Sequence, residues 1–291
     1  MTNNDGVIAR LKLDEAELAA VFALADACTA HDGRPIKLNP GMLRARPGEQ
    51  TDDFLFYADG RLVGFLGMYG FKPSEIEVSG IVHPEYRRRG VFSALYAAAR
   101  RSCVERRIPS ILWICERHSA AGKAFVQSLG AAYSFSEYAM DLDPAALPPA
   151  APGELDIRPA TAADAALIGD LMASGFGMDA ADIGVFIDKE MSRPDRNLRV
   201  VSRAGQPFAV IGAQTLPEGS YVYGFVVAES ERGRGYGRQI LLSTVHELVA
   251  AGQTAVSLEV LVGNERALGL YTSCGFRETS AIDYYTLPLA G

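Results

Sequence analysis

The sequence has no run of about 18 apolar residues, so it offers no helical membrane span. Its opening, Met1-Thr2-Asn3-Asn4-Asp5, lacks a basic segment followed by an apolar one. No signal peptide is expected, and the reading is a cytoplasmic protein. Cysteine is sparse: Cys28, Cys103, Cys115 and Cys274 show no C-x-x-C spacing and read as reduced thiols. The histidines, His31, His83, His118 and His246, are too scattered for a metal site, and none is expected. His83 precedes a proline at the end of a strand-like run and reads as structural. Positive charge is also short. With 28 Lys+Arg against 35 Asp+Glu the net charge is −7, which argues against nonspecific nucleic-acid binding because phosphate neutralisation needs a basic face.

The arginines that are present cluster. One group is Arg87-Arg88-Arg89 with Arg100-Arg101, the other runs from Arg232 to Arg238. An acidic chain with two local arginine clusters suits a small anionic ligand. The second cluster lies in Arg232-Gly233-Arg234-Gly235-Tyr236-Gly237, between the β-branched Val226-Val227 and an apolar-periodic segment from Ile240 to Leu248. That order reads as a strand, a glycine turn and a helix start. Glycine permits positive φ, so consecutive N–H groups can converge on one anion. The helix adds the positive end of its dipole, and arginine grips phosphate oxygens in a fork.

The chain also repeats itself. Gly90 and Gly235 are 145 positions apart, and the same offset relates Gly60 to Gly205, Gly67 to Gly212, Arg87 to Arg232 and Gly130 to Gly275. A constant offset without a gap from residue 60 to residue 130 points to a duplicated domain. With 291 residues, two domains of ordinary size fit. Pro144, Pro148, Pro149 and Pro152 mark the junction. The expected layout is an N-terminal domain over 1–142, a linker over 143–154 and a C-terminal domain over 155–291. Strands are predicted at Asp53 to Tyr57, Leu62 to Tyr69 and Ser74 to Val82, with a hairpin turn at Asp59-Gly60. Leu198 to Ser202, Phe208 to Gln214 and Tyr221 to Val227 repeat that order. Helices are predicted at Ala94 to Arg101, Asp164 to Met172 and after the second glycine turn. The fold class is α/β, a mixed sheet with helices on both faces.

Downstream, Asn264, Ala267, Leu270, Tyr271 and Gly275-Phe276 form N-x-x-A-x-x-L-Y-x-x-x-G-F, after the strand-like Val256 to Val260. Together with R-x-x-G-x-G at 232–237, this resembles motifs A and B of the GCN5-related N-acetyltransferases (GNAT). The resemblance covers nearly all of the second half and, more loosely, residues 53–140. It implies two tandem GNAT domains and acetyl-CoA as cofactor. The pyrophosphate would sit on the turn, with Arg232, Gly233, Arg234, Gly235, Tyr236, Gly237 and Arg238 around it. Val226, Val227 and Ala228 would flank the pantetheine arm, with an N–H near Val227 as oxyanion donor, and Asn264 would contact the same arm. By the same resemblance Tyr271 is the acid for the leaving thiolate and Glu259, in its L-E-V strand, the general base. Tyr221, Tyr223 and Glu229 are alternatives.

The first half departs from the pattern. Phe92 stands in the place of the last glycine, Val126 in that of the tyrosine and Ser119 in that of the asparagine. Val82, Arg87, Arg88, Arg89 and Gly90 remain as a possible second cofactor site, with Glu77 and Glu116 as spare carboxylates. The expected function is acetyl transfer to a primary amine of a small cationic molecule. Tandem members include self-resistance enzymes that acetylate peptide antibiotics such as paenilamicin, so an amine-bearing antibiotic is one acceptor. A protein N-terminus and a non-enzymatic acyl-CoA sensor are the alternatives. No nucleic acid or membrane partner is expected, and monomer and homodimer stay open.

Overall fold

The computed structural model describes residues 5–72, 74–150, 153, 155–216, 219–253 and 255–289, without the side chains of 72 and 189. In chain order the first half forms β1 (Gly6–Arg10), α1 (Glu15–Asp32), α2 (Pro40–Arg44), β2 (Asp53–Ala58), β3 (Arg61–Lys72), β4 (Glu75–Val82), α3 (Val91–Glu105), β5 (Ser110–Glu116), α4 (Ala120–Ser128) and β6 (Ala132–Leu142). The second half repeats the pattern as β7 (Leu155–Pro159), α5 (Ala165–Phe176), α6 (Ala180–Ser192), β8 (Arg196–Arg203), β9 (Gln206–Leu216), β10 (Gly219–Val227), α7 (Tyr236–Ala250), β11 (Val256–Leu261), α8 (Glu265–Ser273) and β12 (Phe276–Pro288).

Local chemistry accounts for the boundaries. Asp14 and Glu17 form a reciprocal capping box at the start of α1, and Gly33 ends it in the left-handed region at φ 69°. The β2–β3 turn places Asp59 at φ 52° and Gly60 at φ 72°. The β8–β9 turn does the same with Ala204 and Gly205, the two-residue geometry whose twist matches antiparallel strands. Among the described residues, no helix is long and apolar enough to cross a membrane.

The chain forms two compact units, Met1–Phe135 with Ile282–Gly291, and Ser136–Ala281. In the first, β1 to β5 lie side by side in sequence order, antiparallel except for the parallel pair β4/β5, and residues 282–288 of β12 pair antiparallel with β5. In the second, β7 to β11 repeat this, parallel only at β10/β11, and residues 137–141 of β6 pair antiparallel with β11. A parallel pair cannot be closed by a hairpin, which is why α3 and α7 carry those connections.

Each sheet is packed on both faces. In the first unit, Leu95, Ala99 and Cys103 of α3 cover one face, and Val21, Cys28 and Leu43 the other. In the second, Leu241 and Val245 of α7 cover one face, and Ile168, Leu171 and Met172 of α5 the other.

This division differs from halves cut at the prolines. The final strand of each half completes the sheet of the other unit. Buried Ile282, Tyr284 and Tyr285 belong to the first unit, where Asp283 pairs with Arg117 and Lys123, both at 2.9 Å. Met140 and Leu142 sit in the core of the second. The described part of the segment read as a linker belongs to the second unit. Pro144–Ala146 forms a short 3-10 turn, and the Pro148 carbonyl accepts from His246 at 2.8 Å. Pro152, cited for the linker, lies outside the described residues.

Candidate active site

The glycine turn grows out of the end of β10. The Ala228 N–H bonds the Phe208 carbonyl, and Arg232 Nε returns to the Val227 carbonyl at 2.8 Å, fastening the loop to its strand. Gly233 and Gly235 then adopt φ 77° and 82°. α7 starts at Gly235 with no side-chain cap, so its first N–H groups need a partner from outside the helix. A Cβ on Gly233 or Gly235 would meet nothing within 4 Å, so these glycines serve the backbone path. At Gly237 a Cβ would make an ordinary contact, 3.4 Å from Leu270 Cδ2 of α8. Arg234 pairs with Glu231 at 3.2 Å, and Arg238 reaches the Ser273 carbonyl at 3.3 Å. Tyr236 packs its ring on Phe208.

Beside the turn the sheet opens. β10 and β11 pair only at Ser220–Val222 with Val256–Leu258. Beyond Val222 the edge of β10 has no strand partner among the described residues. A bulge falls at the same place. Tyr223 is registered with Gly212 and Val226 with Val210, so Gly224 and Phe225 oppose Ile211 alone, with Gly224 at φ 57°. The result is a wedge between parallel strands, one wall of which is the β10 backbone beyond Val222, without a pairing to β11, beside a helix N-terminus. An extended ligand carrying amides and a phosphate end fits that combination.

Glu259 and Tyr271 lie on opposite faces of this sheet. Val256, Leu258 and Val260 turn toward α7, so Glu259 projects to the other side, where it accepts a hydrogen bond from Tyr221 at 2.9 Å. Tyr271 packs into the α7 side, with Phe276 at 6.3 Å between ring centroids. Burial pushes its phenol up to about 12, with Cys274 adding to the shift. Asn264 caps α8, its side chain accepting from the Ala267 N–H at 3.2 Å. That structural duty was not visible in the motif.

Two features escaped the sequence reading. Tyr221 and Tyr223 stack in parallel at 6.5 Å and 6°. Tyr223 donates to the buried Glu190, which pairs with Arg196 at 2.6 Å. Desolvation raises Glu190 above the usual carboxylate range, with Arg196 opposing it. The i, i+2 spacing of the two tyrosines was the available signal. A cavity of about 370 Å³ lies beside this cluster, lined by Glu190, Ser192, Arg193 and Arg196 among others and by none of the turn residues.

The corresponding place in the first unit keeps the glycine turn, the uncapped helix start and the three-position pairing of the parallel strands, and differs in what packs there. Arg88 and Gly90 repeat the turn at φ 63° and 80°, although Arg88 is not glycine. Arg87, however, is held by Asp32 at 2.7 and 2.8 Å and by the Val82 carbonyl at 3.1 Å. Arg89 lies over the Tyr86 ring. β4 runs through Ser79 and Gly80 without a bulge, and Phe92 rests its ring on Gly80, where a Cβ would be 2.7 Å from Phe92 Cε2. Phe92, Tyr96, Trp113 and Phe125 interlock, with Phe92 and Phe125 edge to face at 4.7 Å. Rings fill the region where β4 and β5 part. Val126 is buried, Ser119 caps α4, and Glu116 is engaged by His118 and Arg34.

The acetyltransferase (GNAT) family profile matches the chain twice, at residues 28–131 and 172–276. Among solved structures, a GCN5-related N-acetyltransferase from Sphaerobacter thermophilus superposes with a TM-score of 0.78 at 20% identity, covering 99% of this chain and 97% of that one. A tandem GNAT protein from the clavulanic acid biosynthesis pathway gives 0.72 at 17% identity, covering 98% of each chain. At such identities the likeness speaks for the fold. No curated protein sequence matches significantly.

Proposed function

Because the chain belongs to the GNAT acetyltransferase family in both of its halves, we propose that its second unit is the working N-acetyltransferase and acetylates a primary amine of a small cationic molecule. Both units have an uncapped glycine turn and parallel strands that pair over three positions, and the observation that carries this reading is the bulged β10 edge in the second unit against the ring-packed Gly80 and Phe92 in the first. In this reading acetyl-CoA is held by Val226, Val227 and Ala228 along the edge and by the 232–238 turn, with Asn264 nearby. When bound it supplies an activated acyl group.

The chain's own residues supply the rest. An alkyl ammonium has a pKa near 10, so the amine needs a base, which is Glu259. A backbone N–H near Val227 is the donor for developing negative charge. Tyr271 holds a proton at its Oη for the departing sulfur. Placing base and acid on opposite faces of the sheet lets the amine enter from one side while the thiol is protonated from the other. The net charge of −7 steers cations toward the protein. An amine-bearing antibiotic is the finer reading of the acceptor.

Mass spectrometry of polyamines, aminated antibiotics and ribosomal peptides incubated with protein and acetyl-CoA tests this. Acetylation of a small amine supports it. Acetylation confined to a peptide N-terminus moves the assignment to a protein acetyltransferase, and transfer to none of them contradicts the enzyme reading.

A further inference from the structure

The Tyr221–Glu259 contact sits at the point where the sheet comes apart. Tyr221 is one residue before the last paired position of β10, and Glu259 one residue after the last paired position of β11. Tyr221 is registered with Ser257, so its hydroxyl reaches diagonally along the strand to Glu259 Oε2 at 2.9 Å. Where backbone pairing between the two strands ends, this side-chain bond continues it. The tyrosine is itself braced. Its ring stacks on Tyr223, whose hydroxyl bonds Glu190, whose carboxylate pairs with Arg196, whose guanidinium lies 4.0 Å from the Tyr223 ring centre. Upstream of the bulge the strand registers align Tyr221 with Glu77 of the first unit, and Glu259 with Ile114. No Tyr–Glu pair of this kind stands at that place in the first unit.

We infer that Tyr221 is a positioning residue, which fixes Glu259 in one orientation at the mouth of the wedge. The inference rests on the reading of Glu259 as the base. One oxygen held by the phenol leaves the carboxylate a single rotamer from which to meet the amine.

Measurement of kcat and KM for the full chain, with acetyl-CoA and an amine acceptor that it acetylates, tests the inference in Tyr221→Phe and Glu259→Gln. Misorientation of a reacting group costs about 100-fold, so Tyr221→Phe is expected to lower kcat by about 10- to 100-fold with the KM for acetyl-CoA unchanged. Glu259→Asp, which withdraws the carboxylate from the same contact, should reproduce that loss, and it serves if Tyr221→Phe fails to fold. If Glu259→Gln is impaired while Tyr221→Phe and Glu259→Asp match the wild type, the positioning role is wrong and the base stands. If Glu259→Gln has the wild-type kcat, the base reading fails and the inference with it. A Tyr221→Phe variant altered only in its KM for acetyl-CoA also overturns the inference.

Discussion

Ending the chain after Ala281 removes one strand from the first unit and nothing from the second. Ile282, Tyr284 and Tyr285 are 5%, 2% and 6% exposed, and each fully buried side chain of this size contributes about 1.5–3 kcal/mol. Together they amount to roughly 5–9 kcal/mol, an upper value because denatured chains already bury some surface. Domains of this size are stable by only about 5–15 kcal/mol. The truncation also removes Asp283 from between Arg117 and Lys123, and Tyr284 from its stack with Phe135. The first unit should therefore lose most or all of its stability. Hydrogen exchange read by mass spectrometry should show protection lost across β2 to β5 while Val256–Leu261 stays protected. Native-like protection of Asp53–Ala58 and Ser110–Glu116 in the truncated chain would refute the reasoning.

Tyr271→Phe removes one oxygen and keeps the ring. It should lower kcat by about 10²- to 10⁴-fold, roughly 3–5 kcal/mol, and leave acetyl-CoA affinity intact. The wild type should show no alkaline limb from this phenol at ordinary assay pH, since the protonated form is the one required and its pKa is pushed up to about 12; unchanged turnover would remove Tyr271 from the chemistry. Gly235→Val forces a branched residue into φ 82°, a cost of about 1–2 kcal/mol that leaves the protein folded but should weaken acetyl-CoA by more than tenfold in calorimetry. Unaltered affinity would mean that the turn is not the phosphate site. Asp164 is held well below the usual carboxylate range, first by the Arg158 guanidinium and then by Thr161. A depressed folded pKa gives stability that is present above the unfolded value near 3.9 and lost as pH falls toward the folded one. The Tm gap between wild type and Asp164→Asn should thus be full at pH 7 and close in more acid buffer, and a constant gap would contradict it.

The repeat, the hairpins and the glycine turn were legible because each depends on local rules. Asp59-Gly60 and the glycines at 233 and 235 carry their φ angles in their identity. The exchange of β6 and β12 was not legible. An alternating strand such as Ala132–Leu142 fits the edge of either sheet, and the prolines after it marked a break in secondary structure rather than a boundary between units. The bulge at Gly224 was hidden for a related reason. The constant 145-residue offset suggested one register, yet β10 slips by one residue against β9 where β4 does not slip against β3. Phe92 read as a missing glycine. That its ring would fill the space between β4 and β5 depended on Trp113 and Phe125, far apart in sequence. Asn264 matched a binding motif and also serves α8 as its cap.

The central claim is that one unit of the two holds acetyl-CoA. Native mass spectrometry of the intact chain titrated with acetyl-CoA tests it most directly. The account predicts a single bound molecule per chain at saturation, and two bound per chain would contradict it.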